Sequence, residues 1–152
     1  MTPTIAVIDD DPAFLTLMHD ILSEEGYATL LVRSARGAVA AVQAQLPDLI
    51  VLDLRFSDAA TGWEILDGLR GDAGTAAIPV IICSADCLHL RAKAAWLQQH
   101  GYRALEKPFR VDELLAALAE LLAAPQERTA ERRQQLAIDR ARPAASRRAY
   151  GD

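Results

Sequence analysis

Asp9, Asp10, Asp53, Ser84 and Lys107 are the residues best placed to do chemistry, because each stands where a short apolar run gives out. Thr4-Ile5-Ala6-Val7-Ile8 runs into Asp9-Asp10-Asp11, Leu49-Ile50-Val51-Leu52 into Asp53, and Val80-Ile81-Ile82-Cys83 into Ser84-Ala85-Asp86. Arg103-Ala104-Leu105-Glu106 runs into Lys107-Pro108. Such runs read as buried strands, and in an open α/β sheet the carboxyl ends of the strands surround the crevice where ligands bind. Taken alone, Asp53 reads more readily as the cap of a following helix than as a functional acid. Taken together, three carboxylates within a few ångströms repel one another, which drives at least one toward its protonated form unless a cation intervenes. Mg²⁺ suits such a site, since it takes oxygen ligands in an octahedron, holds one or two carboxylates directly and completes its shell with water and phosphate oxygen. Lys107 is then a point charge for a phosphoryl oxygen and the Ser84 hydroxyl a donor to another. Asp53 is left as the nucleophile toward phosphorus, giving an acyl phosphate, with charge in transit stabilised by the cation, Lys107 and Ser84.

The elements that must position these groups follow in regular order. After the first strand, Pro12 behind an Asp that can cap opens a helix with Phe14, Met18, Ile21 and Leu22 at helical spacing, ending at Gly26. Ala28 to Val32 is a second strand, closed by Arg33. Ser34 is the expected cap of an Ala-rich helix reaching Gln45, with Pro47 as its stop. Gly62 to Arg70 reads as a helix with Trp63, Ile65, Leu66 and Leu69 as its apolar members, and Gly71, Gly74 and Pro79 mark a loop. One helix is expected from about Cys87 to Gln99, and a last one carries Val111, Leu114, Leu115, Leu118, Leu121 and Leu122 with a period near 3.6. Five strands alternating with five helices imply a doubly wound parallel sheet covered on both faces, because each crossover packs back on the sheet in the right-handed sense. The near-continuous apolar strands agree.

Four segments in order, Ile8-Asp9-Asp10-Asp11-Pro12, Val51-Leu52-Asp53-Leu54, Ile82-Cys83-Ser84-Ala85 and Glu106-Lys107-Pro108-Phe109, resemble the motifs of receiver domains of bacterial two-component response regulators. The resemblance covers about residues 4–123. It implies a flavodoxin-like fold with strand order 2-1-3-4-5 and a phosphoacceptor at Asp53 charged by a histidine kinase or histidine phosphotransfer protein. It further implies Mg²⁺ or Mn²⁺ held by Asp9, Asp10, Asp53 and the Arg55 carbonyl, with Ser84 and Lys107 sensing the phosphoryl group and Lys107-Pro108 a cis peptide. The chemistry implied is self-phosphorylation and self-dephosphorylation only, not that of an enzyme with turnover on other molecules. The output is a switch in binding to a downstream target protein, and homodimerisation is a further expectation, through the fourth helix, fifth strand and fifth helix.

Some residues depart from the family pattern. Phe56-Ser57 stand where Met-Pro usually follows the acceptor, and Gly62 lies nine rather than eight positions beyond Asp53, so the loop looks one residue longer. Ala104 occupies the place of the aromatic switch residue, with Tyr102 two positions earlier. Arg55 and Asp86 are positioned to pair across the mouth of the site and shield an acyl phosphate from water. A degenerate receiver serving as a phosphorylation-independent scaffold is the alternative. A metal-dependent phosphohydrolase is more remote, because haloacid-dehalogenase-type enzymes want an acid where Arg55 stands.

The 152 residues suffice for one domain with a proper core, and 51% hydrophobic with 24% charged residues is a soluble globular composition. Cys83 and Cys87 lack the partners a zinc site needs, and Cys83 reads as a small apolar strand residue. No apolar run reaches the ~20 residues that span a bilayer, and the N-terminus lacks a basic leader, so neither a membrane partner nor secretion is expected and the setting is cytoplasmic. The net charge of −5 is uneven: residues 1–124 carry 9 basic and 17 acidic side chains, residues 125–152 carry 7 and 4. A body so acidic repels phosphate, and no direct DNA binding is expected. Residues 1–124 read as the receiver unit. Residues 125–152 read as an Arg/Ala-rich extension, flexible or partly helical over Thr129 to Arg142, and not as an output domain. His19, His89 and His100 read as helix-surface histidines, and Trp63 and Trp96 as core or interface.

Overall fold

The computed structural model describes residues 2–56 and 61–123, together with Ile138. Five strands, β1 (Thr4–Ile8), β2 (Ala28–Val32), β3 (Leu49–Asp53), β4 (Val80–Ser84) and β5 (Arg103–Glu106), form one sheet. Every pairing is parallel and the order is β2-β1-β3-β4-β5. The order reverses between β1 and β3, which is where an open α/β sheet presents its crevice. Asp9 follows β1 directly and Asp53 closes β3, so the two acids are delivered side by side.

Alternation along the strands builds two cores. Ala6, Ile8, Ile50, Leu52 and Ile82 face one side, with Leu66, Leu69, Leu90 and Leu97. Ile5, Val7, Leu49, Val51, Ile81 and Cys83 face the other, with Met18, Leu22, Leu114 and Leu118. Helices α1 (Pro12–Glu24) and α6 (Val111–Ala123) cover the second face; α2 (Ala38–Gln45), α3 (Gly62–Arg70), α4 (Cys87–Ala92) and α5 (Ala94–Gln99) cover the first. Asp11 caps α1, its side chain accepting from the Ala13 amide at 3.0 Å with Pro12 in the first turn.

Two helix expectations are corrected. The Ala-rich helix is capped not by Ser34 but by Gly37, whose φ of +86° is a left-handed conformation a side chain would resist, and it begins at the buried Ala38. The helix expected over Cys87–Gln99 is two short ones, so the chain has six helices among the described residues. The break falls at Lys93 (φ −99°, ψ 2°), whose amide donates to the His89 and Leu90 carbonyls at 3.1 and 3.2 Å. No Gly or Pro marks it, and Leu90 and Leu97 both stay buried on the core side, so the apolar period runs through a tightened turn unchanged. Tyr102 lies just before β5 rather than on it.

Among the described residues, no helix is long and apolar enough to cross a membrane. Of the expected extension, everything but Ile138, an exposed helical residue, lies outside the described residues, as do Ser57 and the rest of 57–60.

Candidate functional site

Asp9, Asp10 and Asp53 come together at the carboxyl edge, each offering a carboxylate oxygen within 4.8 Å of the others. Asp9 is buried, and its Oδ1 accepts from the Asp11 amide at 2.9 Å. Lys107 reaches in from the end of β5. Its Nζ donates to Asp9 Oδ2 at 2.7 Å and stands 3.9 Å from Asp53 Oδ2. The Lys107 amide donates to the Ser84 carbonyl at 2.8 Å, which fixes the start of the Lys107 side chain, and the Lys107-Pro108 peptide is cis.

Only 13% of the Asp53 side chain is exposed. Burial lifts its carboxyl above the usual pKa; Lys107 pulls the other way, Asp9 adds to the rise, and the Arg55 and Leu54 amides oppose it. Desolvation and a like charge are what a bound cation would relieve. The donor set therefore fits a hard divalent ion: three carboxylates, oxygen only, clustered but electrostatically unbalanced.

Gly62 fixes the β3 end from the other direction. Its amide donates to the Leu54 carbonyl at 2.9 Å, and a Cβ there would lie 2.3 Å from the Asp53 carbonyl oxygen and 2.6 Å from the Leu54 Cα. Whatever the loop length, α3 starts in backbone contact with the residue that carries the central acid. The sequence showed this glycine as displaced by one position; the contact shows why a glycine is needed.

Ser84 is buried at the end of β4, and its Oγ accepts from the Asp86 amide at 3.1 Å. Asp86 is the N-cap of α4, with Oδ1 accepting from the His89 amide at 3.2 Å and Oδ2 from Arg55 at 2.5 Å. The helix-cap bond and the Arg55 guanidinium hold the Asp86 carboxyl below its usual pKa. Arg55 and Asp86 thus do pair across the mouth, at an exposed position. His89 continues outward: its Nε2 accepts from the Trp63 indole at 2.9 Å. Ser84, Asp86, His89 and Trp63 form one hydrogen-bonded series from the site to α3.

Trp63 belongs to an aromatic cluster with Trp96, His100 and Tyr102. Trp96 stacks on His100 at 4.1 Å, and the Arg70 guanidinium lies 5.0 Å from the Trp96 ring. Tyr102, two positions before the place of the missing switch aromatic, is committed to this cluster. Ala104 itself is exposed. His89 read as a helix-surface histidine and Trp63 as core or interface, and nothing in the sequence linked them: they are 26 positions apart on different helices. Cys83 is fully buried and its thiol is pushed up to about 12 by desolvation, in keeping with a core role.

Sheet order, acid cluster and opposed lysine are those of a receiver-type signalling domain, with a candidate metal site at the acid cluster. The chain belongs to the response regulator receiver domain family, whose model matches residues 5–119. It is 38% identical over 121 residues to the DNA-binding dual master transcriptional regulator RpaA of Synechocystis sp., covering 79% of this chain and 49% of that protein. It is 26% identical over 123 residues to the polar-differentiation response regulator DivK of Brucella ovis, covering 80% and 98%. Several curated relatives are longer, and the chain spans only 25% to 49% of their length. Among solved structures it resembles the receiver domain of a sensor histidine kinase from Pseudomonas aeruginosa, which has magnesium coordinated in its active-site cleft. The TM-score is 0.70 with 25% identity, over 82% of this chain and 100% of that one. Receiver domains carry out only their own phosphorylation and dephosphorylation, and membership places this chain under the same limit.

Proposed function

We propose that Asp53 accepts a phosphoryl group from a histidine kinase or histidine phosphotransfer protein in the cytoplasm, and that the modified chain switches its affinity for a target protein. The observation that carries this reading is the convergence of three carboxylate oxygens within 4.8 Å, faced by the Lys107 ammonium. An Asp53 oxygen attacks phosphorus, and the bond to the donor breaks with its electron pair leaving on the donor. Desolvation makes this carboxylate more basic than an exposed one, which favours the new bond. Lys107 and the Ser84 hydroxyl take the phosphoryl oxygens, Ser84 giving up its role as acceptor for the Asp86 amide. Asp9, Asp10, Asp53 and the Arg55 carbonyl would hold Mg²⁺ or Mn²⁺, which supplies positive charge against the transferring group.

The Ser84 rearrangement reaches α4 through Asp86, which both caps that helix and pairs with Arg55. Output then falls on the surface of α4, α5, β5 and α6, where a target or a second copy would bind. Two shallow grooves of about 480 Å³ each on that surface share Ala94 and Ala104. Residues 1–124 are the switching unit in this reading, and 125–152 an extension to it.

Exposed Ala104 favours a second reading, a scaffold that no longer couples phosphate to output. Beryllofluoride with Mg²⁺ separates the two. A switching receiver shows shifted amide resonances around Ser84, Asp86 and Lys107 and onward into α4; a scaffold shows none.

A further inference from the structure

We propose that Phe14 is a positioning residue for phosphoryl transfer, its ring face holding the Lys107 ammonium inside the acid pocket where the charge of the transferring group develops. This rests on the reading of Asp53 as phosphoacceptor. Lys107 Nζ lies 4.0 Å from the centroid of the Phe14 ring while it donates to Asp9 Oδ2 at 2.7 Å and stands 3.9 Å from Asp53 Oδ2. The ammonium is therefore enclosed by two carboxylates and one aromatic face, with 22% of its side chain exposed. A cation at this distance is attracted by the ring quadrupole, more strongly as water is excluded.

The ring is itself held on two sides. Phe14 stands in the first turn of α1, and that turn is tied to the acid cluster, because the Asp11 amide at its N-cap donates to Asp9 Oδ1 at 2.9 Å. Phe14 also meets Phe109 edge to face, centroids 6.1 Å apart at 84°, and Phe109 is two residues beyond Lys107. Asp9, the only short hydrogen-bond partner of the ammonium among the described contacts, is also a proposed cation ligand. When that carboxylate is engaged by a cation, the Phe14 face is the partner Lys107 keeps. It restrains a long flexible side chain at the point of charge transfer, which is what preorganisation requires.

Replacing Phe14 by mono-, di- and trifluorinated phenylalanine drains the ring face of negative potential with little change in size. The rate at which acetyl phosphate with Mg²⁺ phosphorylates Asp53 is expected to fall at each step, by about two- to fivefold overall. It should fall in Phe14→Leu as well and recover in Phe14→Trp, while the melting temperatures of the fluorinated proteins stay together. In the metal-free protein, the Lys107 ε-methylene protons should be shifted upfield by the ring current, and Phe14→Leu should abolish that shift. A rate independent of fluorination, or Lys107 resonances unchanged by Phe14→Leu, overturns the proposal. If the wild type takes up no phosphoryl group at all, the phosphoacceptor reading fails and the proposal falls with it. The metal-free spectrum would still show whether the Phe14 contact exists.

Discussion

The acid pocket and the aromatic cluster of α3, α4 and α5 meet at Asp86 and are built in opposite ways. In the pocket, Asp9, Asp10 and Asp53 sit at adjoining strand ends with one ammonium against them, and burial raises the Asp53 pKa. In the cluster, rings stack or meet edge on, and two hydrogen bonds, Trp63 to His89 and the His100 ring to the Trp96 carbonyl, tie them together. The pocket is poised for a ligand that changes its charge. The cluster is already satisfied, and so suits the part of the molecule that responds as a body when α4 is disturbed. On the proposed reading, the difference separates where the phosphoryl signal enters from where it is felt.

Gly62→Ala should disturb the pocket most. A Cβ 2.3 Å from the Asp53 carbonyl forces β3 and α3 apart, and urea unfolding should show a loss of about 3 kcal/mol. The cluster should yield less. Trp63→Phe keeps a ring and removes one hydrogen bond, for about 1 kcal/mol. If beryllofluoride shifts α4 resonances in the wild type and leaves the α3 resonances of Trp63→Phe unmoved, the cluster is the receiving region.

A pH titration sharpens the contrast. Because burial raises the Asp53 pKa, the folded protein holds that proton more tightly than the unfolded chain. The ionised carboxylate therefore lowers stability above its folded pKa, and the penalty disappears as pH falls below the unfolded value. Metal-free Asp53→Asn should melt above wild type at neutral pH, and the two should converge in acid. Mg²⁺ should narrow the gap at neutral pH by stabilising the wild type. The smallest effect is expected at the rim, where Arg55→Ala removes an exposed ion pair and should leave stability close to that of the wild type. The same variant should still shorten the lifetime of the acyl phosphate if the pair screens it from water.

The pocket was legible because each of its members ends an apolar run: strand burial and one polar residue at the edge are both visible in a linear sequence. The boundaries of α3 were legible for a similar reason, with Gly62 and Gly71 standing at its ends. The cluster was not. Trp63, His89, Trp96, His100 and Tyr102 come from three helices and the approach to β5, no period links them, and each type is common in ordinary cores. The break at Lys93 was hidden because neither Gly nor Pro marks it and Leu90 and Leu97 keep the helical period. Phe14 read as one apolar position of α1, and only the return of β5 shows what lies above its ring.

The most direct test is the intact mass of wild type and Asp53→Asn after incubation with acetyl phosphate and Mg²⁺. The wild type should gain the mass of one phosphoryl group and Asp53→Asn none. A gain in both, or in neither, would contradict the assignment of Asp53.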